Sequence, residues 1–459
     1  MGNPNRIFLD RLFFALVFYV SVFTGPALSE IFSPKSFILD NGLKVVVVED
    51  TRAPVVTHMV WYKVGSADEP TGASGVAHFL EHLMFKGTKR FKPGEASKII
   101  AKNGGNENAF TSYDYTAFYQ TVSPDKLSVV MDIESDRMRN LQLNDNDILA
   151  ERDVVLEERR TRTDNSDAAL FREQVNAAMY LTYPYRIPII GWANEIKRLD
   201  KKTVLAFYDR WYAPNNAILV IAGAVSAEKV RELAKIYYGS IPKKEVKVRK
   251  RVKEPPQIAA RRLTMDSDQI GQANWSRRYS APSYNHGETH LTYGLQVLSE
   301  IMGGGTTSRL YRSLVVENKL AVSAGSWYRA ENIGPSVFGI YASPQDNISI
   351  EKLEESINRE LHLVVNKGVS LKEVGDAKTR LRRTAVFAKD SVTAPARIIG
   401  SALATGQSIK EIESWPDRIS KVTREAVFNA FFKHLEKNGI EMSSDWVLCL
   451  SSNHVSDEK

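Results

Sequence analysis

Residues Gly75 to Gly87 (Gly-Val-Ala-His-Phe-Leu-Glu-His-Leu-Met-Phe-Lys-Gly) can be accommodated in few ways. At about 100° per residue they form a short helix with two unlike faces. Val76, Phe79, Leu80, Leu83 and Met84 share one face, and His78, Glu81 and His82 share the other. Ser74 is the expected N-cap, and Gly87 the stop. The two histidines lie one turn apart and point the same way, as two imidazoles must to grip one metal ion. Glu81 lies on their face and can reach a water beside that ion. The order H-x-x-E-H reverses the commoner H-E-x-x-H zinc motif. A face that was merely solvated would carry Lys, Arg or Gln, and this one carries none.

A chain of 459 residues is too long for one small domain, and 43% hydrophobic content supplies apolar material for more than one core. The net charge of +7 is spread along the chain, and its basic runs lack interleaved aromatics, which argues against nucleic acid. A single cysteine, Cys449, excludes an internal disulfide and a cysteine-type zinc site. Residues 1–29 read as a signal peptide: Arg6 and Arg11, an apolar run from Leu12 to Phe23, then Ala27-Leu28-Ser29. This predicts export, most simply to a bacterial periplasm. The alternative is an inner-membrane anchor over residues 12–25.

Beyond the leader, strands alternate with helices, which gives an α+β class. Phe37 to Val48 reads as strand, Asn-Gly turn, strand, and Asn108-Ala109-Phe110-Thr111 opens a pair of strands. A helix from Asn144 or Asp145 carries Glu151 and Glu158, seven apart and so nearly in line, with Val154 and Val155 expected on the same face. A carboxylate inside an apolar stripe is costly unless it is paired or metal-bound. Glu157 reads as solvated surface. The charged run Lys243–Pro256 reads as a solvated linker. The second half echoes the first: with Met302 set on Met84, His78, Glu81 and His82 fall on Gln296, Ser299 and Glu300, so the helix is kept and its chemistry lost. The expected organisation is a domain over 36–242, a linker over 243–257 and a related, inactive domain over 258–445.

With these residues in view, the chain resembles the pitrilysin/insulinase family of zinc peptidases, in the shorter form similar to the mitochondrial processing peptidase. The likeness covers roughly residues 36–440. It rests on His78-Phe79-Leu80-Glu81-His82, Asn108-Ala109-Phe110-Thr111, Glu151-Arg152-Asp153-Val154-Val155 with Glu158, Pro188-Ile189-Ile190-Gly191, Tyr212-Ala213-Pro214-Asn215-Asn216 and Gly303-Gly304-Gly305-Thr306-Thr307-Ser308-Arg309-Leu310. The resemblance implies two homologous α/β sandwich domains forming half of a clam-like chamber. It implies one Zn2+ per chain, held by His78, His82 and a Glu about 76 residues beyond the second His, which here is Glu158 (158 − 82 = 76). It makes Glu81 the catalytic base and Glu151 a companion acid. It also implies that Asn108, Ala109 and Phe110 bind an extended peptide by strand addition.

One departure stands out. Active assemblies of the family place an Arg and a Tyr, seven apart, after the Gly-rich turn of the second half. Here those positions are Val315 and Val322. The expectation is a zinc endopeptidase that hydrolyses small or unfolded peptides, with a related partner subunit supplying Arg and Tyr in a hetero-oligomer. The alternative is a non-catalytic structural subunit, against which the intact metal motif argues.

Overall fold

The computed structural model describes residues 31–433 and 446–452. The expected leader over residues 1–29 lies outside them. Among the described residues, no helix is long and apolar enough to cross a membrane.

The first half is built on a six-stranded sheet: β1 (Lys35–Ile38), β2 (Lys44–Glu49), β3 (Val56–Tyr62), β4 (Asn106–Thr111), β5 (Thr116–Val122) and β6 (Ala217–Gly223), in the order β1-β2-β6-β3-β5-β4. The second half holds β7 (Arg261–Ser267), β8 (Asn274–Ala281), β9 (Ala321–Tyr328), β10 (Ser336–Pro344) and β11 (Trp446–Ser452), in the order β7-β11-β8-β10-β9. With β1 set aside, the two orders superpose. β2 pairs parallel with β6, as β7 does with β11, and every other pair is antiparallel. The helix after the first central hairpin strand, α1 (Val76–Leu83), has its counterpart in Thr292–Gly303. The repeat expected from one aligned helix therefore extends through a whole sheet. The second sheet also continues past residue 445, since its β11 begins at Trp446.

Each sheet buries one face under its own helices. In the first half these include α1, α2 (Glu95–Lys102), α3 (Leu127–Asn140) and α4 (Asp145–Arg159), around Val45, Val60, Phe79, Leu80, Leu83 and Val155. Their periodic apolar positions drive that packing, at about 1.5–3 kcal/mol for each large side chain removed from water. The other face of the first sheet is covered from the second half. The helix Ala394–Ala404 lays Ala396, Ile399 and Leu403 on Val46, Met59, Trp61 and Val220. Gly400 makes the close approach possible, since a Cβ there would stand 2.0 Å from Trp61 Nε1. α5 (Asp167–Met179) makes the reciprocal contact, packing on β7 and β11.

The segment 243–260 has no regular structure, as a linker should, but its charges are not all solvated. Arg251 pairs with Asp68 at 2.7 Å and with Asp114 at 3.0 Å, and Arg249 donates to the carbonyls of Asp114 and Ala404. Tyr185 and the backbone of Ile333 also donate to Asp114. The basic residues of the linker thus lock the two halves together through carboxylates that come from elsewhere in the chain.

Candidate metal centre

α1 begins at a crossing of two glycines. Gly75 has φ +86° and Gly191 φ +90°, values that disfavour any side chain. A Cβ on Gly75 would meet Ile190 O at 2.4 Å, and one on Gly191 would meet Ser74 O at 2.5 Å. The Pro188–Gly191 loop is therefore the seat of the helix start. Ser74 does not cap the helix as expected: Gly75 holds the N-cap position, and the Ser74 hydroxyl accepts the Trp192 amide at 2.9 Å. The amides of Gly75 and Ala77 donate to Glu69, each at 2.9 Å. A buried carboxylate six residues upstream thus does the work assigned to Ser74, beyond the reach of an N-cap rule. Burial raises the Glu69 pKa, and these two amides oppose the rise.

The two faces of α1 separate as the periodicity predicts. Val76, Phe79, Leu80 and Leu83 are fully buried, while His78, Glu81 and His82 turn toward α4 and β4. On α4, capped by Asn144, Glu151 and Glu158 share a face with Val155. Val154, expected on that face, is instead 49% exposed. Glu157 is surface, as expected, and pairs with Arg160.

Glu158 Oε2 lies 3.2 Å from His82 Nε2 and 3.8 Å from His78 Nε2. Among the described residues, these three form the one group of His, Cys, Asp or Glu that could hold a metal, with ligand atoms within 4.8 Å of one another. A tetrahedral zinc site with ligands about 2.0–2.1 Å from the ion needs ligand atoms about 3.3–3.5 Å apart, so the donors are nearly in place. Two imidazoles and one carboxylate suit zinc and leave a fourth position open. His82 Nδ1 is held by Glu151 at 2.9 Å, which directs the Nε2 lone pair at the centre. Lys86 pairs with the other Glu151 oxygen, and Arg162 takes Glu158 Oε1 at 2.6 Å. Thr111 of β4 donates to Glu81 Oε2. Lys86, Arg162 and Thr111 were not singled out from sequence. Lys86 left a trace there, one turn beyond His82, and Thr111 closes the Asn108–Thr111 stretch.

The electrostatics separate the two histidines. Burial, aided by the His82 charge, holds His78 down at about 4. Burial also opposes charge on His82, but its hydrogen bonds to Glu151 and Glu158 outweigh it and raise the group to about 9. Glu158 is lowered, chiefly by its hydrogen bond to His82. Burial raises Glu81. In the metal-free chain, then, His82 carries a proton at neutral pH. Its folded-state pKa lies above the ordinary value of 6.5, so this stabilisation is complete below about 6.5 and is lost as pH rises through about 9. Zinc must displace that proton. Calorimetric titration at pH 7.5 in buffers of unlike ionisation enthalpy is expected to show about one proton released per zinc, and none released would contradict this charge state.

β4 forms the open edge of its sheet beside the centre. Asn108, with Phe85, Lys86 and Pro93, lines a cavity of about 560 Å³ that reaches Glu81, His82 and Glu151. The Ala109 amide is held by the Asn108 side chain at 2.8 Å, and Phe110 lies on the sheet face away from α1. A larger cavity of about 1130 Å³ lies in the second half and includes none of these residues.

Residues 44–192 match the family model described as insulinase (peptidase family M16), and residues 198–381 match the one described as peptidase M16 inactive domain. The zinc protease PqqE of Helicobacter pylori is 35% identical over 326 residues, which span 70% of this chain and 72% of that one. This chain belongs to peptidase family M16. An M16 relative in Mycobacterium tuberculosis, named an uncharacterized zinc protease, is 29% identical over 421 residues, 88% of this chain and 91% of that one. The crystal structure of a protease from Helicobacter pylori superposes with a TM-score of 0.82 at 29% identity, covering 91% of this chain and 99% of that one. The periplasmic protease PqqL of Escherichia coli shares the fold at 18% identity and a TM-score of 0.77, and there 91% of this chain covers only 47% of the other. The inactive-domain match begins at residue 198, within the first half, and runs on into the second. In the counterpart of α1, Gln296 bonds to Tyr284 and Trp415, and Glu300 pairs with Arg380, so neither is free to bind a metal.

Proposed function

We propose that this M16 chain is the zinc-carrying half of a metalloendopeptidase. The observation that carries the reading is the convergence of His78, His82 and Glu158, with Glu81 beside them and an open strand edge alongside. His78, His82 and Glu158 would hold one zinc. When bound, the metal supplies Lewis acidity to the scissile carbonyl and brings the pKa of a water toward neutrality. Glu81 would take a proton from the attacking water and return it to the leaving amine, a task that a pKa raised by burial favours. Glu151 acts through His82, fixing its ring and tautomer rather than touching substrate. Asn108, Ala109 and Phe110 align an extended peptide along β4. Residues 1–29, read as a signal peptide, would carry the enzyme out of the cytoplasm.

Position 315 carries a partly buried valine and position 322 an exposed one, and neither can donate to an oxyanion. Of the nearby donors, Arg309 is committed to Glu373, Arg312 to Glu317, and Tyr328 to the Pro282 carbonyl. A related partner chain therefore supplies Arg and Tyr. A relative whose fold contains this one in about half its length is consistent with such pairing. The test is cleavage of a quenched, unstructured peptide by the zinc-loaded chain, alone and with candidate partners. One zinc bound and no cleavage until a partner is added is the expected result. Full activity alone would remove the partner, and no zinc bound would remove the enzyme.

A further inference from the structure

A peptide added to β4 runs about 4.8 Å from it, and its side chains alternate between the two faces of the sheet. On one face Thr111 meets Glu81 and Glu107 meets Arg137. The other face carries Phe110, with Tyr119 of β5 beside it, 6.3 Å away between ring centroids. Over this pair lies Arg397, from the second-half helix Ala394–Ala404. Its guanidinium stands 5.0 Å from the Phe110 centroid and 4.7 Å from that of Tyr119.

Arg397 differs from the other cations at this junction. Arg137, Arg159, Arg249 and Arg251 all hold carboxylates. Among the described residues, no carboxylate and no hydrogen-bond acceptor is engaged by the Arg397 guanidinium, and the acid preceding it, Asp390, is taken by Arg52 at 3.0 Å. Two aromatic faces fix its plane and strip part of its water, while its N–H groups remain free. Stacking of this kind prepares a guanidinium for a carboxylate. Cross-strand neighbours lie about 4.5–5.5 Å apart and diagonal ones about 7–8 Å apart between Cβ atoms, so an acidic side chain on this face of an added strand reaches it.

We infer that Arg397 recognises a carboxylate of the bound peptide, carried on the face opposite the metal centre, and gives the enzyme a preference for acidic peptides. This rests on the peptidase reading above and adds a specificity-determining residue contributed by the inactive half.

The test uses the full chain, zinc-loaded and with Glu81→Gln, so that peptides bind without turnover. Fluorescent, C-terminally amidated peptides carry one Glu walked through successive positions, each with a Gln twin, and binding is followed by anisotropy. At one position or two alternate positions, Glu is expected to bind roughly fivefold tighter than Gln, the scale of a partly exposed ion pair. Arg397→Met is expected to abolish that difference and leave the Gln peptides unchanged, while Arg397→Lys keeps part of it. A neutral peptide with a free C-terminus, compared with its amide, shows whether a terminal carboxylate can serve instead. A Glu/Gln ratio unaltered by Arg397→Met overturns the assignment, as does binding without any acidic preference. Failure of every peptide to bind overturns strand addition at β4, and this assignment along with it.

Discussion

Replacing Glu81 with Gln is expected to leave zinc bound and to lower peptide cleavage by about 100- to 10,000-fold, the usual contribution of a positioned general base. Glu81 is 8% exposed, held at Oε2 by Thr111, and not among the three converging ligands. Gln preserves the shape and can still accept from Thr111, but it cannot take a proton from water. The loss should fall on kcat, with KM little changed, because the ground-state contacts survive. Glu157→Gln is the matched control, since Glu157 is exposed and paired with Arg160, away from the centre. Cleavage and metal analysis on the same preparations separate the outcomes. Activity within tenfold of the parent, or zinc lost together with activity, would refute this role for Glu81.

The parts of this site that were legible in the sequence are the local ones. His78, Glu81 and His82 are fixed relative to one another by a single turn of helix, and no tertiary contact is needed to see it. Glu151 drew notice as a carboxylate in an apolar stripe, and it is indeed buried against the site. Helical periodicity alone could not choose between Val154 and Val155 as its apolar neighbour, because both lie close to the line between Glu151 and Glu158, and packing against α1 selects Val155. Glu158 drew the same notice from the same stripe, and its role as the third ligand followed from family resemblance. Thr111, Arg162 and Glu69 work through partners brought in by folding, and no local pattern marks them. The linker failed for the same reason: its basic charge is plain in the sequence, whereas Asp68 and Asp114, which neutralise it, arrive from the first half. The repeat was visible in one helix, whereas the strand order was not, because it is set by pairings between distant segments.

The largest effect on stability is expected away from the metal, at Arg159. Arg159 is 5% exposed, and its guanidinium holds Glu173 through two bonds, at 2.8 and 3.0 Å, while also donating to the Gly191 carbonyl at 2.9 Å. Arg159→Met leaves the Glu173 carboxylate buried and uncompensated, a loss of about 3–5 kcal/mol. Adding Glu173→Leu removes the stranded charge and should recover most of that loss, since a well-packed apolar pair often replaces a buried ion pair without penalty. The consequence reaches the site, because Gly191 seats Gly75 and Gly75 begins the helix that carries both histidines. The single variant should therefore bind zinc more weakly as well as unfold at lower urea. The double variant should recover stability more fully than zinc affinity, because the bond to Gly191 stays broken. A single variant within about 1 kcal/mol of the parent would show that the pair is solvated in practice. A double variant no more stable than the single would place the cost in lost packing rather than stranded charge.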